Sequence, residues 1–179
     1  MKTRISVVTG PESSGKTTLA GQLADHFGIP LVNEVSRDYL EQKCIPGMAS
    51  YHYEKADLLE IASLQQHREQ SLLQLAPPRL VCDTDLLVIM IWSEVRYGNC
   101  DPWIYRTFEA NLNNPNYPRH YFLCHWDIPW EADPLRENPH DRDELFARYQ
   151  RKLEHYALDY TLVQGNPATR LQLALNTRF

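Results

Sequence analysis

The sequence predicts an α/β fold built on a parallel sheet, and three observations lead there. Apolar runs of strand length, Ile5–Thr9, Ile29–Asn33, Arg79–Cys82, His120–Cys124 and Tyr160–Val163, alternate with stretches of helical periodicity. The first run passes through Gly10-Pro-Glu-Ser-Ser-Gly-Lys-Thr17 straight into a helix pattern starting near Lys16. Glu34 and Asp83 stand at the C-terminal ends of two other runs, the edge at which parallel sheets bind ligands.

Each element has a local reason. Gly-x4-Gly-Lys-Thr between a strand and a helix is the P-loop arrangement in its required context. Gly10 and Gly15 let the backbone turn so that successive N–H groups form an anion nest, and the helix dipole adds positive potential. Gly10, Glu12, Ser13, Ser14, Gly15, Lys16, Thr17 and Thr18 are therefore the expected site for the phosphates of a nucleotide, which the resemblance described below makes ATP. Lys16 is expected to reach the β- and γ-phosphates, and the Thr17 hydroxyl to ligate Mg2+. Gly28 ends the first helix, and Pro30 sits near the start of the second strand, where its missing N–H matters least. Ser36 is expected to cap a short helix through Leu40. A long helix follows from about Tyr53 to Leu75, stopped by Pro77-Pro78. Leu86–Val95 and Pro102–Leu112 read as further helices. The proline- and charge-rich stretch from Asp127 to His140 resembles a lid loop, giving a lid region of about 127–148. Leu145, Phe146, Tyr149, Leu153 and Tyr156 form one stripe of the next helix, and Ala168–Asn176 closes the chain.

With 179 residues the expectation is a single domain over 1–179. A net charge of -5 argues against a protein built to coat nucleic acid or an anionic membrane, so small molecules are the expected partners; homo-oligomerisation is left open. Cys44, Cys82, Cys100 and Cys124 show no zinc spacing and read as reduced thiols. Without a signal peptide or a run of ~20 apolar residues, the expected compartment is the cytoplasm.

Phosphoryl transfer needs metal-bridged phosphates, a carboxylate that handles the acceptor proton, and cations over the transferring group. Asp83 is the candidate metal acid, with a helix cap as its plain alternative. Glu34 and Arg37 suit a general base and a substrate anchor, or else a surface ion pair. Asp85 could bind sugar hydroxyls or cap the next helix. Arg136 and Arg142 suit lid arginines, or a solvated basic face. Of the aromatics in the middle third, Trp92, Tyr97, Trp103, Tyr105, Trp126 and Trp130, none is singled out as a base platform.

Gly10-Pro-Glu-Ser-Ser-Gly-Lys-Thr-Thr-Leu19, Asn33-Glu-Val-Ser-Arg-Asp-Tyr-Leu40, Asp83-Thr-Asp85 with Trp92-Ser-Glu94 and Tyr97-Gly98, and Asp133-Pro-Leu-Arg136 with Arg142 together resemble the ribosylnicotinamide kinase domain. That domain is the C-terminal part of bifunctional bacterial NAD-biosynthesis regulators and also a standalone ATPase/kinase family of NAD metabolism. The resemblance implies a nucleoside-kinase-like P-loop NTPase fold, with a five-stranded parallel sheet and a lid. It implies ATP and Mg2+ as cofactors, and phosphorylation of the 5'-hydroxyl of nicotinamide riboside to give nicotinamide mononucleotide. By it Lys16, Glu34, Asp83, Arg136 and Arg142 are catalytic, Glu34, Arg37 and Asp85 bind substrate, and Thr17 and Asp83 hold the metal. Another nucleoside or nucleotide kinase, or a regulatory P-loop ATPase acting through a protein partner, are the alternatives.

Overall fold

In the computed structural model, residues 2–43, 53–132 and 140–177 are described. β1 (Arg4–Thr9) leads through the glycine loop into α1 (Lys16–Phe27), and β2 (Leu31–Val32) into α2 (Ser36–Gln42) and α3 (Lys55–Leu73). β3 (Arg79–Asp83) is followed by α4 (Leu86–Tyr97) and α5 (Pro102–Leu112), β4 (Arg119–Cys124) by α6 (Arg142–His155), and β5 (Tyr160–Val163) by α7 (Pro167–Leu175). The strands form one sheet in the order β2-β3-β1-β4-β5, every neighbouring pair parallel. This is the expected five-stranded α/β sheet flanked by helices.

Alternation along the strands splits the core in two. Ile5, Val7, Leu80, Cys82, Tyr121 and Leu123 point to one face and pack under α3, α4 and α5 with Tyr149 and Leu153 of α6. Val8, Val81, Phe122 and Cys124 point to the other, against Leu19, Ala20 and Leu23 of α1 and Ala174 of α7. Because β1 is central and covered on both faces, the loop that leaves it starts from the buried middle of the sheet.

Element boundaries moved by a few residues, β2 most. Only Leu31 and Val32 pair with β3, although the Pro30 carbonyl still accepts from Val81 N at 3.1 Å. One cap is corrected: Val35, not Ser36, occupies the N-cap of α2, and the Ser36 hydroxyl instead donates to Glu34 Oε1 at 2.7 Å. Asp85, Asp101 and Asn166 do cap α4, α5 and α7, each accepting from a backbone N–H. Cys82, Cys100 and Cys124 are buried free thiols; Cys44 lies outside the described residues. Among the described residues no helix is long and apolar enough to cross a membrane.

Candidate active site

The glycine loop takes a conformation that few residues besides glycine tolerate. Gly10 has φ +138°, and a Cβ there would lie 2.6 Å from the Cys124 carbonyl oxygen, so the loop leaves β1 pressed against β4. Gly15, at φ +77°, is the N-cap of α1. The Ser14 hydroxyl and the Lys16 ammonium both donate to the Pro11 carbonyl, at 2.7 and 2.8 Å, closing the loop on itself.

Asp83 ends β3 beside this loop and is 2% exposed. Burial pushes its carboxyl up to about 6, a hydrogen bond with the Thr17 side chain opposes the rise, Glu34's charge adds to it and Lys16 opposes it. Its Oδ1 is buried without a hydrogen-bond partner. An orphaned carboxylate oxygen next to a threonine hydroxyl at the mouth of a phosphate nest is an oxygen donor set suited to a hard divalent cation, so both predicted metal residues fit Mg2+. The next residue, Thr84, holds φ +69°, unusual for a β-branched side chain, with its N–H bonded to Val8 O at 3.0 Å. That turn sends Asp83 to one side of the sheet and Asp85 to the other.

Asp85 is corrected as a sugar ligand. Its Oδ1 accepts from Leu87 N at 3.0 Å and its Oδ2 from the Tyr121 hydroxyl at 2.8 Å, with Arg119 Nη1 3.6 Å away. Both oxygens are committed beneath the sheet, and it caps α4.

A cavity of about 380 Å³ runs along the loop and into a recess. Besides the loop, its walls include Glu34, Ser36 and Arg37 and the largely apolar group Leu40, Val88, Ile91, Trp92, Leu145 and Tyr149. Trp92 is set by its indole N–H, which donates to Tyr53 Oη at 2.8 Å. Tyr149 is buried; burial raises its hydroxyl pKa, and the charges of Glu12 and Glu34 raise it further.

Arg142 opens α6 directly above the loop. Its Nη1 donates to the Ser13 and Ile128 carbonyls at 3.3 and 3.0 Å, and its guanidinium lies 5.6 Å from the ring centres of both Trp126 and Trp130. Glu131 N donates to Ser13 Oγ at 2.9 Å, so the chain after β4 crosses over the loop. Arg136 lies outside the described residues.

A family model for the AAA domain, AAA_28, matches residues 5–170. The chain belongs to this AAA domain family. Its fold is that of several solved structures. NadR in complex with NR aligns with TM-score 0.68 at 17% identity over 96% of this chain and 48% of NadR. This chain therefore spans about half of NadR's length. Deoxyadenosine kinase from M. mycoides gives 0.60 at 17% identity over 97% of each chain, and thymidylate kinase from Ehrlichia chaffeensis 0.65 at 14% over 98% of each. No curated protein matches in sequence.

Within this AAA domain fold, Glu34 and Arg37 line the same cavity as the loop, Asp83 is hydrogen-bonded to the loop's Thr17 side chain, and Arg142 to its Ser13 carbonyl. Sequence reasoning missed Tyr149 as a cavity wall, having counted it only as one of a helix stripe. It also missed Arg170. This side chain is 3% exposed, lines the cavity, and bonds Ser14 O at 2.7 Å from a position 156 residues away. Its one signal was an arginine inside the pattern of a short closing helix.

Proposed function

We propose that this AAA domain chain is an ATP-dependent kinase acting on a nucleoside hydroxyl, with nicotinamide riboside as the acceptor and nicotinamide mononucleotide as the product. One observation carries the reading: a single cavity is lined by the phosphate loop, by Glu34 and Arg37, and by the apolar side chains Leu40, Val88, Ile91, Trp92 and Leu145. A phosphate donor at the loop and a nucleoside in the recess would meet at Glu34. The folds of deoxyadenosine kinase and thymidylate kinase, and of NadR seen with NR, support a kinase of this class.

In this reading the amides of residues 10–17 and Lys16 hold the triphosphate, and Thr17 and Asp83 hold Mg2+. The metal, when bound, neutralises charge on the phosphate oxygens. Glu34 accepts the proton of the acceptor hydroxyl, kept in place by the Ser36 hydroxyl on its Oε1. Arg37 anchors the sugar or the product phosphate. Val88, Ile91, Trp92 and Leu145 exclude water around the base. Arg142 places positive charge at the loop's open side, and Arg136 adds to it on closure. A cytoplasmic location fits these substrates.

The test is an acceptor screen read by mass. Purified protein with Mg-ATP should convert nicotinamide riboside well above its acceptor-free ATP hydrolysis. Glu34→Gln should lower that turnover ~100-fold or more while ATP still binds. Equal or faster use of thymidine, cytidine, uridine or deoxyadenosine moves the acceptor. Slow hydrolysis indifferent to every acceptor, with a stable protein partner in pull-down, replaces the kinase by a regulatory ATPase.

A further inference from the structure

We propose that Arg170 is a positioning residue for the phosphate loop: it holds the Ser14 carbonyl and thereby aims the Gly15 amide at the bound phosphates. The proposal rests on the reading that this loop grips a polyphosphate. It assigns no contact between Arg170 and the nucleotide.

The guanidinium is spent on the protein. Nη1 donates to Ser14 O at 2.7 Å, Nε to Gly165 O at 2.6 Å and Nη2 to His125 O at 2.9 Å, and Nη2 also pairs with the Asp127 carboxylate. Asp127 in turn accepts from Gly165 N through its other oxygen at 2.6 Å. Burial works against the Asp127 charge, yet the Gly165 N–H and Arg170 bring its carboxyl below the ordinary value. One side chain from the first turn of α7 therefore ties together the exits of β4 and β5 and the loop after β1.

Peptide planarity turns this tie into a functional one. In a trans peptide the carbonyl and the following N–H point in opposite directions. A carbonyl of Ser14 drawn toward Arg170 sets the Gly15 N–H facing away from it, across the loop. Gly15, a glycine at φ +77°, has no side chain to restrict this orientation, so the tie on the Ser14 carbonyl supplies the restraint. Lysine could not substitute: one ammonium lacks the planar fork that serves three carbonyls and a carboxylate at once.

The test is calorimetric titration of inorganic tripolyphosphate and of ATP into wild type, Arg170→Met and Arg170→Lys, with far-UV circular dichroism and thermal melting alongside. Arg170→Met is expected to lose at least tenfold in affinity for both ligands by the same factor, because the defect lies at the phosphates and not the base. Arg170→Lys is expected to recover only part of the loss for both ligands. A folded Arg170→Met that binds tripolyphosphate as wild type does overturns the proposal. If Arg170→Met does not fold, Arg170→Lys decides alone: at least fivefold weaker tripolyphosphate binding supports the proposal, and unchanged binding overturns it. Since no acceptor or turnover enters these titrations, a wild type that binds tripolyphosphate yet phosphorylates no nucleoside sinks the kinase reading and leaves this one standing.

Discussion

Asp83 is where local chemistry is most exposed to measurement. Its folded carboxyl titrates near 6 against an ordinary 3.8, with burial as the leading cause. The folded state therefore binds the proton more tightly than the unfolded chain does. The resulting stabilisation is full below about pH 4 and is lost as pH rises through about 6; a rise of ~2 pH units corresponds to roughly 3 kcal/mol at most. In EDTA, Asp83→Asn should gain stability relative to wild type between pH 4 and pH 6.5, measured by urea unfolding. A difference that does not vary with pH would show that Asp83 is not strained by its burial. Mg2+ should reverse the trend for wild type alone, since it favours the ionised form at the site the orphaned Oδ1 faces.

Between elements, the unusual feature is a buried ionic group that no single helix or strand contains. Glu69 of α3 pairs with Arg119 of β4 through its Nη1 and Nη2, and Asp85 at the head of α4 completes the triad. All three side chains are 5% exposed or less. Burial disfavours the Arg119 charge, but Glu69, Tyr121 and Asp85 together outweigh it and keep the guanidinium protonated. Removing the cation alone leaves two carboxylates in the core. Arg119→Met should cost about 3–5 kcal/mol in urea unfolding, and the double variant with Glu69→Gln should cost less than the single one. Equal or greater loss in the double variant would mean the triad acts through packing and not charge. Because Asp85 also caps α4, the triad stiffens the turn that presents Asp83.

For the whole molecule, the sheet puts the phosphate loop, the β3 acid and the Glu34 region on one edge, and α6 and α7 close over it. We propose that these parts unfold together as one domain. A ligand at 100 times its Kd stabilises by about 2.7 kcal/mol, which for a chain of this size is a Tm rise of roughly 5–10 °C. Mg-ATP should shift one single melting transition by that amount in calorimetry. Two separate transitions, of which nucleotide moves only one, would divide the chain into two units.

The sequence alone determined what depends on neighbours along the chain: the alternation of strand and helix, the glycine loop, and the acids delivered to strand ends. These are legible because periodicity and backbone conformational demands are local, as at Gly10, Gly15 and Gly28. The tertiary structure alone decided which groups surround each isolated charged residue. Asp83 and Asp85 stand two residues apart, a spacing that an extended strand would keep on one face, yet the left-handed Thr84 between them turns the chain, and Asp85 meets Arg119 and Tyr121 under the sheet. Arg170, an arginine in a short closing helix that periodicity does not single out, is buried among Ser14, His125, Gly165 and Asp127. A charge takes its role from the groups that replace its water, and here those groups come from up to 156 residues away.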